Sequence, residues 1–246
     1  MLSVPLWIAA GLIGPCLGSF VATAALRRTT SEQVAFGRSH CDHCGVALSY
    51  VSTVPVLSYI RLRGACQACG ARIDASHLIG EIVGGVILLS ALAAASPPRA
   101  GLLAALGLTL LASSVHDLKT QRLPDSFTAV VAGCAAALAW LQSEQTFWLG
   151  LVCACTAFVA LEAMRRSFIW LRRKPGLGFG DVKLVTALAL WLGLATPWAV
   201  ALASLMGLAA ALRQPAERRL AFGPWIAVAA WCVGLAGEAR LWPSLT

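Results

Sequence analysis

Two aspartates stand where an otherwise apolar chain should not place them. Asp117 ends the run AGLLAALGLTLLASSVHD, and Asp181 opens another within GFGDVKLVTALALWLGL. A carboxylate at the edge of a membrane-length segment is costly, so it marks a functional site by default. Two such groups brought together share one proton, and a neutral acid beside an ionised one can hydrolyse a peptide bond. The plainer explanation of each is a polar helix end, with Lys119 and Lys183, two residues further on, as ion-pair partners. The glycines before Asp181 favour chemistry, because they open backbone space for an extended substrate strand. Gly178, Gly180 and Lys183 are therefore the expected substrate-binding residues beside the catalytic pair.

A second constellation lies upstream. CDHCG and CQACG supply Cys41, Cys44, Cys66 and Cys69, as two C-x2-C pairs separated by 21 residues. Each pair is followed by a glycine that permits a tight turn with backbone N–H groups aimed at sulfur. Four thiolates at this spacing match a closed tetrahedral zinc site. Such a site keeps no open position for water, so the expected Zn2+ is structural. Redox chemistry is the alternative, and His40, His43 and His77 are alternative ligands. Cys16, Cys134, Cys153, Cys155 and Cys232 fall in apolar runs and read as small buried fillers.

The other acidic residues divide by context. Glu32, Asp42 and Asp74 lie in the cysteine-bearing loop, and Glu144, Glu217 and Glu238 sit near segment ends, where solvation is the expectation. Asp125, before Ser126, either caps a helix or joins the site. Glu162 precedes Arg166 by four residues, the spacing of an ion pair within a helix. Glu81, in HLIGEIVGG, is either an interfacial carboxylate or a site residue.

The elements that must position these groups follow from composition. Of 246 residues, 59% are hydrophobic and 12% charged, against about 25% charged in a soluble domain. The expected fold is an all-α polytopic membrane protein. Eight apolar runs of near-spanning length occur, at 4–26, 78–95, 100–116, 126–141, 147–164, 181–194, 196–212 and 222–239. The first does not have the expected pattern of a cleaved signal peptide, since no basic residue precedes it and its Arg27-Arg28 pair follows the apolar run. The organisation expected is a first helix (1–26), a zinc-binding loop domain (27–76) and a seven-helix core (77–246). A net charge of +8 reports topology here, not nucleic-acid binding: 17 of the 19 Lys and Arg fall in 27–76, 117–125, 165–183 and 213–219. The positive-inside rule places those loops in the cytoplasm and both termini outside. Arg165 to Lys174 reads as an amphipathic stretch at headgroup level. Gly14 and Gly18 have the spacing that lets helices approach closely in lipid. No internal repeat is evident. The run ending at Asp117 descends to the cytoplasmic face and the one opening at Asp181 leaves it, so side-by-side packing would join the two carboxyls.

In order along the chain come Gly18-Ser19-Phe20, CDHCG, VPVLSYIRLRG, CQACG, DLKTQRLPD, GFGDVKL and AFGPWIAVAAW. This ordered set resembles the type IV prepilin peptidases, membrane aspartic peptidases of pilus and type II secretion systems. The resemblance implies an enzyme of the bacterial inner membrane that cuts the short basic leader from prepilins or pseudopilins. It implies Asp117 and Asp181 as catalytic pair, and methylation of the new N-terminus with S-adenosylmethionine. The chain departs from the family's pattern in GSFVATAALRR, which lacks an early asparagine, in His77–Glu81, and at Ala221 before Phe-Gly-Pro. The changes concentrate in the half associated with methyl transfer; the aspartate motifs are intact. Two other classes fit the composition: a methyltransferase with structural aspartates, and a secretion-machine scaffold with zinc as its docking module.

Overall fold

The computed structural model describes residues 4–30, 40–41, 43–47, 54–173, 176–213 and 220–239. Glu32, Asp42, Lys174, Pro175, Glu217 and Arg240 lie outside the described residues. The described chain is helical: α1 (Val4–Thr30), α2 (Leu57–Arg61), α3 (Ala75–Ala94), α4 (Pro97–Thr120), α5 (Asp125–Gln142), α6 (Glu144–Arg172), α7 (Phe179–Leu192), α8 (Thr196–Ala211) and α9 (Gly223–Glu238). Two isolated β-bridges, and no strand, occur among the described residues.

Six stretches are long and apolar enough to cross a membrane by length and composition. The last of them, Phe179–Ala211, combines α7, a single 3-10 turn and α8. The surface is that of a protein whose solvent is lipid. Leu12, Val159, Trp170 and Leu212 are 66–79% exposed, and large apolar side chains this open are tolerable only where water is absent or a partner covers them. Cys16, Cys155 and Cys232 also lie exposed, not buried as expected from their apolar runs.

Helix ends follow local chemistry. Pro97 and Pro98 open α4, where a missing N–H costs no intrahelical bond. Gln121 ends α4 in the left-handed region, donating its N–H to the Asp117 carbonyl at 2.8 Å. Ser143 caps α6, accepting from the Thr146 N–H at 3.0 Å.

The chain divides into two compact units, Met1–Ser90 and Ala91–Thr246. In the first, α1 and α3 meet through glycines. A Cβ on Gly18 would lie 2.2 Å from the Gly80 carbonyl oxygen, and one on Gly84 would lie 2.5 Å from the Gly18 Cα. The spacing of Gly14 and Gly18 is thus answered by the same spacing in Gly80 and Gly84.

In the second unit, α4 packs on α5, α5 on α7, α7 on α9 and α9 on α4. These four helices make a ring, with α6 outside against α5 and α7, and α8 outside against α9. Leu103, Leu106, Leu138, Leu184 and Leu188 fill it. At the end holding the start of α4 and the ends of α5, α7 and α9, the Arg99 guanidinium grips both Glu238 oxygens, at 2.6 and 2.8 Å. It also donates to the Leu138 carbonyl at 3.0 Å, while the Trp191 indole donates to Glu238 at 3.0 Å. Glu238 is therefore not solvated, as its place near a segment end suggests. An apolar bundle end has few other acceptors for Arg99, and a buried carboxylate needs donors.

Candidate active site and metal centre

Asp117 lies in the last turn of α4 and is 5% exposed. Its own helix end is the negative pole of a dipole and offers it nothing. The compensation comes from α9: Gly223, the first residue of that helix, donates its backbone N–H to Asp117 Oδ2 at 2.9 Å. A Cβ at position 223 would stand 2.8 Å from the same oxygen, so glycine is what lets the backbone come this near. Pro224 follows at a position where no helix donor is lost. Phe-Gly-Pro is visible in the sequence; its function as the support of Asp117 is not, because the two are 106 residues apart.

Asp181 is half-buried, at the third position of α7. Its carboxyl folds back over Gly178, the cap residue of the helix, where a Cβ would stand 2.9 Å from Asp181 Oδ2. Among the described residues, neither aspartate makes an ion pair; the ion pairs belong to Arg99, Arg165, Arg166 and Lys183 with other acids.

Side-by-side packing of the two aspartate helices is corrected here. α4 and α7 share no extended packing face; they occupy opposite corners of the ring, joined through α5 and α9. Both corners carry an aspartate at the same end of the ring, Asp117 at the end of α4 and Asp181 at the start of α7. The lysine partners are corrected too. Residues two apart on a helix point in different directions, and Lys183 reaches Asp125 at the start of α5 instead of Asp181. Pro124 occupies the cap position, and Asp125 is the first residue of the helix. Glu162 binds Arg165 as well as the expected Arg166, each at 2.7 Å.

The expected substrate residues have internal contacts. Gly178 faces Asp181, Gly180 lies so close to Leu123 that a Cβ would be 3.0 Å from it, and Lys183 bears the Asp125 ion pair. His116, which sequence reasoning passed over, steadies the turn after Asp117: its Nδ1 lies 2.9 Å from both the Arg122 carbonyl and the Thr120 hydroxyl.

The four loop cysteines come together, their sulfurs all within 4.8 Å of one another, and Cys41 and Cys69 are 3.9 Å apart. Zinc–sulfur bonds of about 2.3 Å in a tetrahedron put sulfurs about 3.8 Å apart, so the donor set fits a zinc ion. The two halves are built alike. In each, the glycine after the second cysteine donates to the first cysteine's carbonyl at 2.9 Å, with φ of 70° at Gly45 and 71° at Gly70. A local repeat is therefore present, too short and too diverged between its halves to stand out in the sequence. Backbone N–H groups of Cys69 and Ala68 hold the Cys66 thiol down to about 6, and those of Cys44 and His43 lower Cys41. Both cysteines are thus prepared to bind as thiolates. At Cys69 the Ala71 N–H acts the same way, but burial and the neighbouring sulfurs outweigh it and push that thiol up to about 11.

Glu81 is buried, not interfacial. It accepts from the Ser19 hydroxyl at 3.1 Å and from the Val56 N–H at 2.7 Å. Val56 has φ of 63°, an unusual conformation for a β-branched residue, and Glu81 holds it there. Gly-Ser-Phe, the valine-proline segment and the helix after the cysteines thus converge on one carboxylate.

Among the described residues, the helical chain has six stretches of membrane length and a cluster of four cysteines that could hold a metal ion, the outline of a multi-pass membrane protein. Residues 12–95 match the bacterial peptidase A24 N-terminal domain, and residues 104–212 match the type IV leader peptidase family. A prepilin leader peptidase/N-methyltransferase of Burkholderia pseudomallei is 38% identical over 77% of this chain and 64% of its own length. One from Aeromonas hydrophila is 32% identical over 82% and 72%, and a type 4 prepilin-like leader peptide-processing enzyme of Escherichia coli is 34% identical over 85% and 77%. The chain belongs to the type IV leader peptidase family. It spans about 64% of the length of the Burkholderia relative. No solved structure matches it.

Proposed function

We propose that the protein is a membrane aspartic endopeptidase that removes the short basic leader of type IV prepilins or of type II secretion pseudopilins. The observation that carries this reading is the pair Asp117 and Asp181, at one end of the ring and without an ion-pair partner among the described residues, in a chain of this family. One carboxyl holds a proton and the other is ionised, and the pair titrates as a unit. The ionised group takes a proton from water, whose oxygen adds to the scissile carbonyl. The protonated group donates to the carbonyl oxygen, and collapse of the tetrahedral species returns a proton to the departing amine. The Gly223 N–H orients Asp117, and the absence of a side chain at Gly178 leaves room for the Asp181 carboxyl. Gly178 and Gly180 form the edge along which the scissile segment lies.

In this reading the chain crosses the bacterial inner membrane eight times, with both termini periplasmic and the basic loops, the dyad and the cysteine loop at the cytoplasmic face. Residues 27–76 form the zinc-binding domain between the first helix and the seven-helix core of 77–246. Cys41, Cys44, Cys66 and Cys69 hold a structural Zn2+, which supplies cross-linking to a loop too small for a large core. The relatives' names support a second activity, methylation of the new N-terminus, with S-adenosylmethionine as methyl donor.

The test is cleavage of a prepilin by the purified protein and by its Asp117→Asn and Asp181→Asn variants. Loss of cleavage in both, with unchanged folding, is expected. A variant that still cuts overturns the dyad. Zinc content near one per chain, lowered in Cys41→Ser, is expected for the metal, and zinc-free protein from a fresh preparation would remove it.

A further inference from the structure

Two carboxyls on diagonal helices need something to set their separation. Asp117 is secured to α9 through Gly223. Asp181 lies in the first turn of α7, so its place relative to Asp117 depends on how the start of α7 is tied to the turn between α4 and α5. Contacts at three positions tie it. Gly180 abuts Leu123, as described above. The Lys183 ammonium pairs with the Asp125 carboxylate at the first residue of α5. Two cations lie over the Phe179 ring, at the first position of α7: the Arg165 guanidinium of α6 is 5.3 Å from its centroid, and Lys183 Nζ is 5.0 Å from it. Arg165 is in turn held by Glu162.

A continuous chain therefore runs Glu162, Arg165, Phe179, Lys183, Asp125, from α6 over the start of α7 to the start of α5. Both of its anchoring helices pack on α7. We infer that Lys183 and Asp125 are positioning residues, and that their ion pair, with the Phe179 ring in contact with both Lys183 and Arg165, sets the place of Asp181 relative to Asp117. This role stands in place of the substrate contact expected of Lys183 from sequence, and it rests on the proposed dyad.

The energetics separate this role from a purely structural one. The Asp125 side chain is 79% exposed and that of Lys183 is 31% exposed. An ion pair this open contributes little to folding. A small displacement of a reacting group, by contrast, costs rate steeply. The lysine carries a further constraint. Its stem must lie along Phe179 while its tip meets Asp125, so a shorter or uncharged side chain satisfies one contact at most.

The experiment uses the full-length protein in detergent or lipid nanodiscs, with a prepilin as substrate. Lys183→Met and Asp125→Asn are each expected to lower kcat about ten- to a hundredfold, with KM and melting temperature nearly unchanged. The reversed pair, Asp125→Lys with Lys183→Asp, is expected to recover at least part of the loss, which a substrate contact at Lys183 alone would not do. Phe179→Leu should lower kcat less than either. A rise in KM for Lys183→Met, with Asp125→Asn fully active and no rescue by reversal, would assign Lys183 to the substrate and overturn the inference. Wild-type kcat in both single variants would overturn it as well. Asp181→Asn in the same assay keeps the outcomes distinct: if it still cuts, the dyad has failed; if it is inactive while the single variants are normal, the positioning role alone has failed.

Discussion

The two ends of the four-helix ring treat buried acids in opposite ways. At one, Glu238 is gripped by Arg99 through both oxygens and receives the Trp191 indole, so its charge is fully matched. At the other, Asp117 receives one backbone N–H from Gly223, the Asp181 carboxyl lies over Gly178, and no cation pairs with either among the described residues. The helices are the same four; the difference lies in what faces each carboxylate. A guanidinium locks an acid in its ionised form, which suits a structural fastener. Backbone N–H groups orient a carboxyl and leave it free to exchange a proton, which suits an acid–base pair. The difference teaches that burial alone does not assign a role to an acid; on the proposed dyad, the partner does.

The largest effect that could break this contrast is loss of cleavage at the unpaired end. Asp117→Asn or Asp181→Asn should lower kcat by about a thousandfold or more, in line with removal of a general acid or base. Neither should lower the melting temperature, since no ion pair is lost. A marked fall in stability would make the aspartates structural. At the paired end the expectation is reversed. Glu238→Gln should destabilise by about 3 kcal/mol, as removal of one member of a buried pair does, while cleavage per folded molecule stays normal. Chemical denaturation beside a single-turnover assay separates the two quantities. A finer probe lies at Gly223. Its alanine variant puts a methyl group against Asp117 Oδ2, and kcat should fall about tenfold through displacement of that oxygen. The smallest effect is expected in the other unit, where Ser19→Ala removes one of the two donors to Glu81. A loss of about 1 kcal/mol in stability is expected there, read as a lower melting temperature, with cleavage by the dyad intact.

Much of this was legible along the chain. Apolar runs mark the helices because a spanning segment must satisfy its backbone internally and present apolar side chains to lipid. The two C-x2-C-G pairs announce a metal site because a tight turn brings both sulfurs of a pair to one point, and the observed halves have that turn. Asp117 and Asp181 stand out through cost alone. Partners were less legible. Lys183 was assigned from sequence neighbourhood, yet helical geometry turns it away from Asp181 and toward Asp125. Glu238 and Arg99 read as loop-end charges and are each other's partners, 139 residues apart. Glu81 could not be placed until Gly18 and Gly80 brought α1 and α3 close enough for Ser19 to reach it.

What the sequence alone determined is the set of parts: apolar helices, a four-thiolate loop, and two carboxylates at segment ends whose ordered motifs place the chain in its family. These are local properties, fixed by composition and by spacings of a few residues. Only the tertiary structure decided that the aspartate helices stand on a diagonal, that α9 supplies the donor to Asp117, and that Lys183 belongs to Asp125. Those outcomes depend on which helix packs beside which. The apolar faces of α4, α5, α7 and α9 are chemically alike, so their neighbours are set by packing over the whole bundle and not by any one segment.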